Sequence, residues 1–434
     1  MGKARGNQLA VLGGEPSVRS KIRIHNTIGL SEQIAVNRVL RSGVLSKFLG
    51  TWSEDFFGGS KVREFESLAC ELFNTKHAIS VNSWTSGLIA AVGAVGVAPG
   101  DEVIVTPWSM SASIAAVLHW GGIPVFADIE PKEFNIDPDR VREKITPKTK
   151  AILVADIFGK SANLIELMKI AKDFNLKVIS DTAQAPGSKT SGKYSGTLAH
   201  IGGISLNYHK HVHTGEGGLL FTNDDELAFR MQLIRNHAES VVAGAEIKDI
   251  SNLVGFNFRL GEIEAAIGIK QLGKLEKIIQ NKQSLANQLT KELTGLKGVR
   301  LPEIDSRLSN VYYVYPIVID PEELGVSRSV LVSALRAERV PGLSEGYQNL
   351  HLLPLFQQKK AFGTEGFPWT YSGASLNTYN YEKGICPIAE NYHDEKFVGF
   401  GITGLDLKPR HIHEIGCAFR KVWENLDNLA RIRK

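Results

Sequence analysis

The stretch "LNYHKHVHTGEGG", residues 206–218, concentrates reactive side chains: His209, His211 and His213 alternate with Lys210 and Val212 ahead of a glycine-rich turn. If the segment is extended, successive side chains point to opposite faces. The three imidazoles then share one face, as metal ligands do, and the amine takes the other. The pattern therefore predicts either a metal site or the setting of a reactive lysine. A metal site needs a shared face and an open coordination position. No H-E-x-x-H motif or supporting carboxylate–histidine pattern accompanies it. The expectation is no metal, with Lys210 as the site and the histidines structural or substrate-facing. A protonated histidine beside Lys210 lowers its amine pKa, and a neutral one can orient a hydroxyl.

The elements that position this stretch are regular from about residue 78. Short β-rich runs, "HAISV", "EVIVT", "IPVFAD", "KAILVAD" and "LKVISD", are separated by helical stretches such as "SGLIAAVGAVG" and "NLIELMKIAKDFN". Apolar strands alternating with helices predict a mostly parallel sheet covered on both faces. Near residues 200–222 two closer strands, "GGISLNY" and "GGLLFTN", flank the histidine stretch. A long helical region, "GEIEAAIGIKQLGKLEKIIQNKQSLANQLTKEL", then bridges into a smaller C-terminal α+β domain beginning near residue 270.

Ligands of open α/β sheets gather at the carboxyl ends of the strands. There "KVISD" ends in Asp181, placed to meet a ligand cation or to cap a helix, and Gln184 follows in "TAQAPG". After "HAISV", the run "NSWTSG" puts Ser83, Thr85 and free backbone N–H groups at a helix start, where they can cradle an anion or simply cap. "GSKTSGKY", residues 187–194, nearly matches a phosphate-binding loop, but Tyr194 replaces the magnesium-binding hydroxyl and no helical pattern follows. It reads as a turn.

An anion loop, an acid after a strand and a lysine before "TGEGG" together resemble the layout of fold-type I pyridoxal phosphate enzymes. The chain is most similar to the DegT/DnrJ/EryC1/StrS family of sugar and cyclitol aminotransferases. "GDEVIVTPWSMSAS", "GIPVFADIEPKEFNIDPDRVREKITPKTKAI", "VISDTAQAPGS", "TGEGGLLFTND", "RNHAE", "VGFNFRLGEIEAAIG" and "CPIAE" sit in order where that family has similar strings. The resemblance implies an α/β fold with a mostly parallel seven-stranded central sheet flanked by helices. It divides the chain into an N-terminal arm and helix (1–50), a large cofactor-binding domain (51–270) and a small C-terminal α+β domain (271–434).

By the same resemblance, Lys210 carries the cofactor, pyridoxal 5'-phosphate, and moves protons, while Asp181 pairs with the pyridinium nitrogen. Gln184 lies near the phenolic oxygen. Ser83, Trp84, Thr85 and Ser205 hold the phosphate, and Asn257 reaches it from a second subunit, which implies a homodimer with shared sites. Candidate substrate contacts are His209, His211, His213, Arg259, Tyr347 and His351. The implied reaction moves an amino group from L-glutamate or L-glutamine to a nucleotide-linked keto sugar or a keto-cyclitol. Two features depart from the family: Trp84 stands for a phosphate-loop glycine, and Ser111 stands where a ring-stacking aromatic is common, with Trp108 three residues earlier. One subgroup of sugar dehydratases replaces the lysine with histidine, whereas Lys210 is retained here. A dehydratase or elimination enzyme is the alternative reading, and a non-catalytic cofactor-binding regulator ranks last.

The bulk numbers exclude other classes. A chain of 434 residues, 43% hydrophobic and 22% charged, is an ordinary globular composition. Fifty basic against 46 acidic residues leave a net charge of +4, too even for a nucleic-acid footprint. Cys70, Cys386 and Cys417 are too few and too far apart for a disulfide framework. The first residues lack the apolar run of a signal peptide, and Gly6 stands where a myristoylation signal places Ser or Thr. No run is long enough to span a bilayer. A cytoplasmic protein is expected.

Overall fold

The computed structural model describes residues 8–303 and 308–431, so Gly6 lies outside the described residues. Seven strands form the central sheet: β1 (His77–Val81), β2 (Glu102–Val105), β3 (Ile123–Phe126), β4 (Thr149–Ala155), β5 (Lys177–Asp181), β6 (Ile201–Ser205) and β7 (Gly218–Thr222). Their spatial order is β1-β7-β6-β5-β4-β2-β3. Strand β7 runs antiparallel to β1 and β6, and the remaining neighbours pair in parallel. The strands read as continuous apolar runs because both sheet faces are covered.

The helices used below are α1 (Leu30–Ser42), α2 (Trp84–Ala94), α3 (Ala112–His119), α4 (Leu164–Asp173), α5 (Glu262–Leu272), α6 (Leu275–Leu293) and α7 (Pro409–Trp423). Helix α2 is apolar nearly all round, and Leu88, Ala90, Ala91 and Val92 are fully enclosed. It packs against β6 and β7, beneath the sheet. The long helical stretch is two helices, because Gly273 and Lys274 interrupt it. The first half, α5, lies on α1, and the second, α6, lies on α7.

A second sheet, β8 (Val299–Arg300), β9 (Tyr315–Ile319), β10 (Leu343–Glu345) and β11 (Phe397–Phe400), is antiparallel in the order β8-β9-β11-β10. It shares a core with the amphipathic helices through Leu285, Leu289, Ile317, Phe400, Ile412 and Phe419. The near-match to a phosphate loop is a tight hairpin, with Lys189–Thr190 paired to Lys193–Tyr194.

This topology decides where the chemistry sits. Strands β1, β5 and β6 point the same way, so their carboxyl ends share one edge of the sheet. The chain leaves β6 at Ser205 and re-enters β7 at Gly218, opposite each other in register. The connection carrying Lys210 must therefore cross that same edge. Close packing beneath it depends on Gly203 of β6, where a Cβ would lie 2.1 Å from the Leu219 carbonyl oxygen and 2.3 Å from the Trp84 ring. Neither neighbour can retreat without moving the sheet. Gly203→Ala should lower stability by about 2 kcal/mol or more, read as a fall in melting temperature. An unchanged melting curve would contradict this packing.

Candidate active site

The histidine stretch is a pinned turn, which corrects the extended reading. Leu206 N donates to Gly217 O (2.9 Å), Thr214 N to Leu206 O (3.0 Å) and Lys210 N to Asn207 O (3.0 Å). Gly215 takes φ +91°, a left-handed conformation that glycine adopts freely. On a turn, alternation in sequence no longer fixes a shared face, and the histidines diverge. His209 is exposed, whereas His211 is fully enclosed with its Nε2 donating to Val311 O at 2.9 Å. His213 is half-buried, its Nδ1 accepting from Gly215 N at 3.3 Å. Among the described residues no three metal-capable side chains converge.

Lys210 lines a small cavity of about 90 Å³ with Tyr208, His209, His213 and Thr403. Burial pushes its amine down to about 8, against the opposing pull of the Asp181 carboxylate. Its Nζ rests 4.5 Å from the centre of the Tyr313 ring. An amine with such a pKa is neutral about a tenth of the time at pH 7, far more often than an ordinary lysine, and only that form acts as a nucleophile or proton acceptor.

Asp181, the last residue of β5, is buried, and burial raises its pKa. Three donors oppose that rise. Trp84 Nε1 donates to Oδ1 at 2.6 Å, Ala183 N to Oδ1 at 3.2 Å, and the Ser113 hydroxyl to Oδ2 at 2.9 Å. Gln184, three residues on, accepts from Phe158 N (3.0 Å) and donates to the Tyr347 hydroxyl (3.1 Å). Tyr347 is thus drawn from a distant segment to the Asp181 end of the cleft.

At the end of β1, Ser83 caps α2, its Oγ accepting from Ser86 N at 3.1 Å. The N–H groups of Trp84 and Thr85 belong to the first helical turn and have no intrahelical acceptor, and the Thr85 side chain is exposed. Ser205 ends β6 on the same edge and is largely buried, its Oγ accepting from Asn207 N at 3.3 Å.

The remaining candidates are engaged with other partners, Asn257 beside the start of α2. Asn257 presents an exposed side chain while its carbonyl accepts from Asn82 Nδ2 (3.2 Å). Arg259 Nε donates to Asn236 Oδ1 (2.8 Å). His351 has no exposed surface; it packs on Phe126 and its Nε2 donates to Glu390 Oε1 at 2.9 Å. Trp108 is likewise enclosed, among Phe134, Phe397 and Tyr347, with its Nε1 donating to Asn349 Oδ1. It belongs to the core rather than to a ring-covering position. Ser111 is exposed at the start of α3, next to the exposed Met110.

The family model described as "DegT/DnrJ/EryC1/StrS aminotransferase family" matches residues 46–375. The chain belongs to this family. It is 32% identical to a GDP-perosamine synthase of Caulobacter vibrioides, over 72% of this chain and 83% of that protein. It is 31% identical to an L-glutamine:2-deoxy-scyllo-inosose aminotransferase of Streptomyces kanamyceticus, over 74% of this chain and 76% of that one. Among solved structures, an aminotransferase from Psychrobacter cryohalolentis superposes with a TM-score of 0.79 at 25% identity, covering 94% of this chain and all of that one.

The protein is an aminotransferase, and its geometry adds residues that the sequence pattern did not disclose. Ser113 and the indole of Trp84 both touch Asp181, and Tyr313 lies under Lys210. Ser113 had a discoverable signal: it sits in the first turn of the helix after β2, a neighbour of the Asp181 edge. Tyr313 had none, since it arrives from the far side of the second sheet's first connection.

His211 of this aminotransferase also sets a pH dependence. Burial, with the nearby Lys282 and Lys210 charges, drives it down to about 3, below its ordinary 6.5. The unfolded chain then binds the proton first, so stability is fully present above about pH 6.5 and is lost as pH falls, by up to about 1.4 kcal/mol per unit. His25, pushed down to about 4 by burial, adds in the same direction. Melting temperature should fall between pH 7 and pH 5, and fall less steeply in His211→Gln. Parallel slopes for the two proteins would exclude His211 as a source.

Proposed function

We propose that this aminotransferase uses pyridoxal 5'-phosphate to move an amino group from L-glutamate or L-glutamine to the ketone of a sugar or cyclitol. The observation that carries the reading is the buried Lys210 amine, brought to about 8, within electrostatic reach of the buried Asp181 carboxylate. The donor set fits the group. An anion can meet the open N–H groups of Trp84 and Thr85 and the hydroxyls of Ser83, Thr85 and Ser205. A ring cation can meet the carboxylate of Asp181, and Gln184 can hydrogen-bond a ring oxygen. The bound cofactor supplies an electron sink for the substrate's Cα.

The protein's residues do the rest. Lys210 would hold the cofactor and, as a free amine, would move the proton to and from the substrate carbon in both half-reactions. Asp181 keeps the ring nitrogen protonated. Tyr347, hydrogen-bonded to Gln184, the exposed His209 and the half-buried His213 are polar groups that can meet an acceptor's hydroxyls. Burial lowers the pKa of both imidazoles, so they are neutral hydrogen-bonding partners near pH 7. Relatives named for GDP-perosamine and for a 2-deoxy-scyllo-inosose support nucleotide-linked keto sugars and keto-cyclitols as the two acceptor classes. Retention of Lys210 supports amination over dehydration. Two groups of exposed apolar residues support a homodimer that would complete the site with Asn257. Val44, Leu45, Leu49 and Trp52 after α1 lie exposed, as do Ile250 and Val254 ahead of Asn257. No helix among the described residues is long and apolar enough to cross a membrane, and three free cysteines suit a reducing cytoplasm.

The visible spectrum of the purified protein tests the cofactor and donor. A band above 400 nm should bleach with L-glutamate or L-glutamine, and borohydride should leave a cofactor-sized mass on the peptide carrying Lys210. Lys210→Ala should bind the cofactor without that mass and lose turnover by about 10³-fold or more. Normal turnover by this variant would overturn the assignment. Sedimentation should give a dimer, and mixing Lys210→Ala with Asn257→Ala protein should restore activity beyond either alone. A fully active monomer would refute the shared site.

A further inference from the structure

Asp181 has about four acceptor positions on its two oxygens, and the structure fills three. Trp84 Nε1 and Ala183 N both donate to Oδ1, and the Ser113 hydroxyl donates to Oδ2. One position remains, on Oδ2. The Trp84 bond is the shortest of the three at 2.6 Å, and the indole is held in a slot that glycines clear. Cβ atoms at Gly203 and Gly87 would lie 2.3 and 2.8 Å from its ring carbons. The backbone N–H of the same residue belongs to the open first turn of α2. Trp84 therefore joins the anion-binding helix end to the acid through a single side chain.

We propose that Trp84 is a positioning residue of the cofactor site, its indole holding Asp181 ionised with Oδ2 turned toward the ring nitrogen. The inference rests on the pyridoxal phosphate reading above. A hydrogen bond to a charged group favours the charged form, which opposes the burial that raises the pKa of Asp181. The other ionisable groups facing Asp181 are Lys210, Asp156 and Tyr347. Asp156 is itself pushed up to about 7, chiefly by burial, so below that pH it is mainly protonated. Trp84 also explains a departure from the family: the phosphate loop gives up a glycine because its side chain serves the opposite end of the cofactor.

The test compares wild type, Trp84→Phe, Asp181→Ala and the double variant, using pyridoxal phosphate labelled with ¹⁵N in its ring. Phenylalanine keeps most of the apolar packing and removes the N–H. In Trp84→Phe the dissociation constant for the cofactor should rise about tenfold, and the ring nitrogen should lose its proton about one pH unit below wild type. In the Asp181→Ala background the same change should have little effect on either quantity. Unchanged affinity and ring-nitrogen titration in Trp84→Phe would overturn the proposal. An equal loss in both backgrounds would also overturn it, by showing that Trp84 acts through packing alone. Wild type that binds no pyridoxal phosphate would overturn the cofactor reading together with this one, and so is distinguishable from either result. Should Trp84→Phe fail to fold, wild type with ¹⁵N-labelled tryptophan carries the same test. One of the six indole N–H signals should lie downfield and move on adding cofactor, and six unmoved signals would refute the contact.

Discussion

The active-site edge depends on keeping one carboxylate charged inside an apolar sheet. Asp181 ends a strand in which Val178, Ile179 and Ser180 are enclosed, and an isolated ion there costs several kcal/mol. It is tolerated because indole, hydroxyl and backbone N–H donors converge on it and a lysine amine faces it. Much of the nearby chain is arranged around those donors. Helix α2 begins where its first residue can reach across to the acid, α3 begins where Ser113 can, and the β6–β7 connection crosses the edge that brings Lys210.

Local signals revealed the parts of this arrangement that depend on neighbours in sequence. An apolar run ending in Asp181 announces a buried strand with a functional end. "TGEGG" after Lys210 announces a tight turn, and Ser83 before an apolar helix announces an open N-terminus. Each needs only a few adjacent residues, because strand and helix periods and capping are short-range. A mostly parallel sheet followed from the same alternation, while its seven strands were implied by the family resemblance; the change of rhythm falls where β7 runs antiparallel.

Other features were hidden because they depend on contacts distant in sequence. Three histidines on every second residue look like one face, but a connection between opposed strand ends turns rather than extends. His211 was therefore carried inward to a carbonyl a hundred residues away. His351 and Trp108 looked like candidates by residue type and were absorbed by aromatic packing against segments far along the chain. In sequence, Trp84 showed only as a phosphate-loop residue standing for a glycine. Its use became visible only when the indole was seen to end at Asp181, a residue 97 positions later.

The turn that carries Lys210 separates anchorage from reach. Its main chain is tied at both strand ends and again at Asn207, so the Cα is a fixed pivot. Beyond it, four methylenes give the amine a radius of several ångströms over which rotamers interconvert quickly. In the proposed reaction the residue would work as a crane on a rigid mast, its amine swinging away from the neighbouring ring of Tyr313 without any loop opening. Its speed is then set by side-chain rotation rather than by backbone motion, and the surrounding sheet can remain stiff.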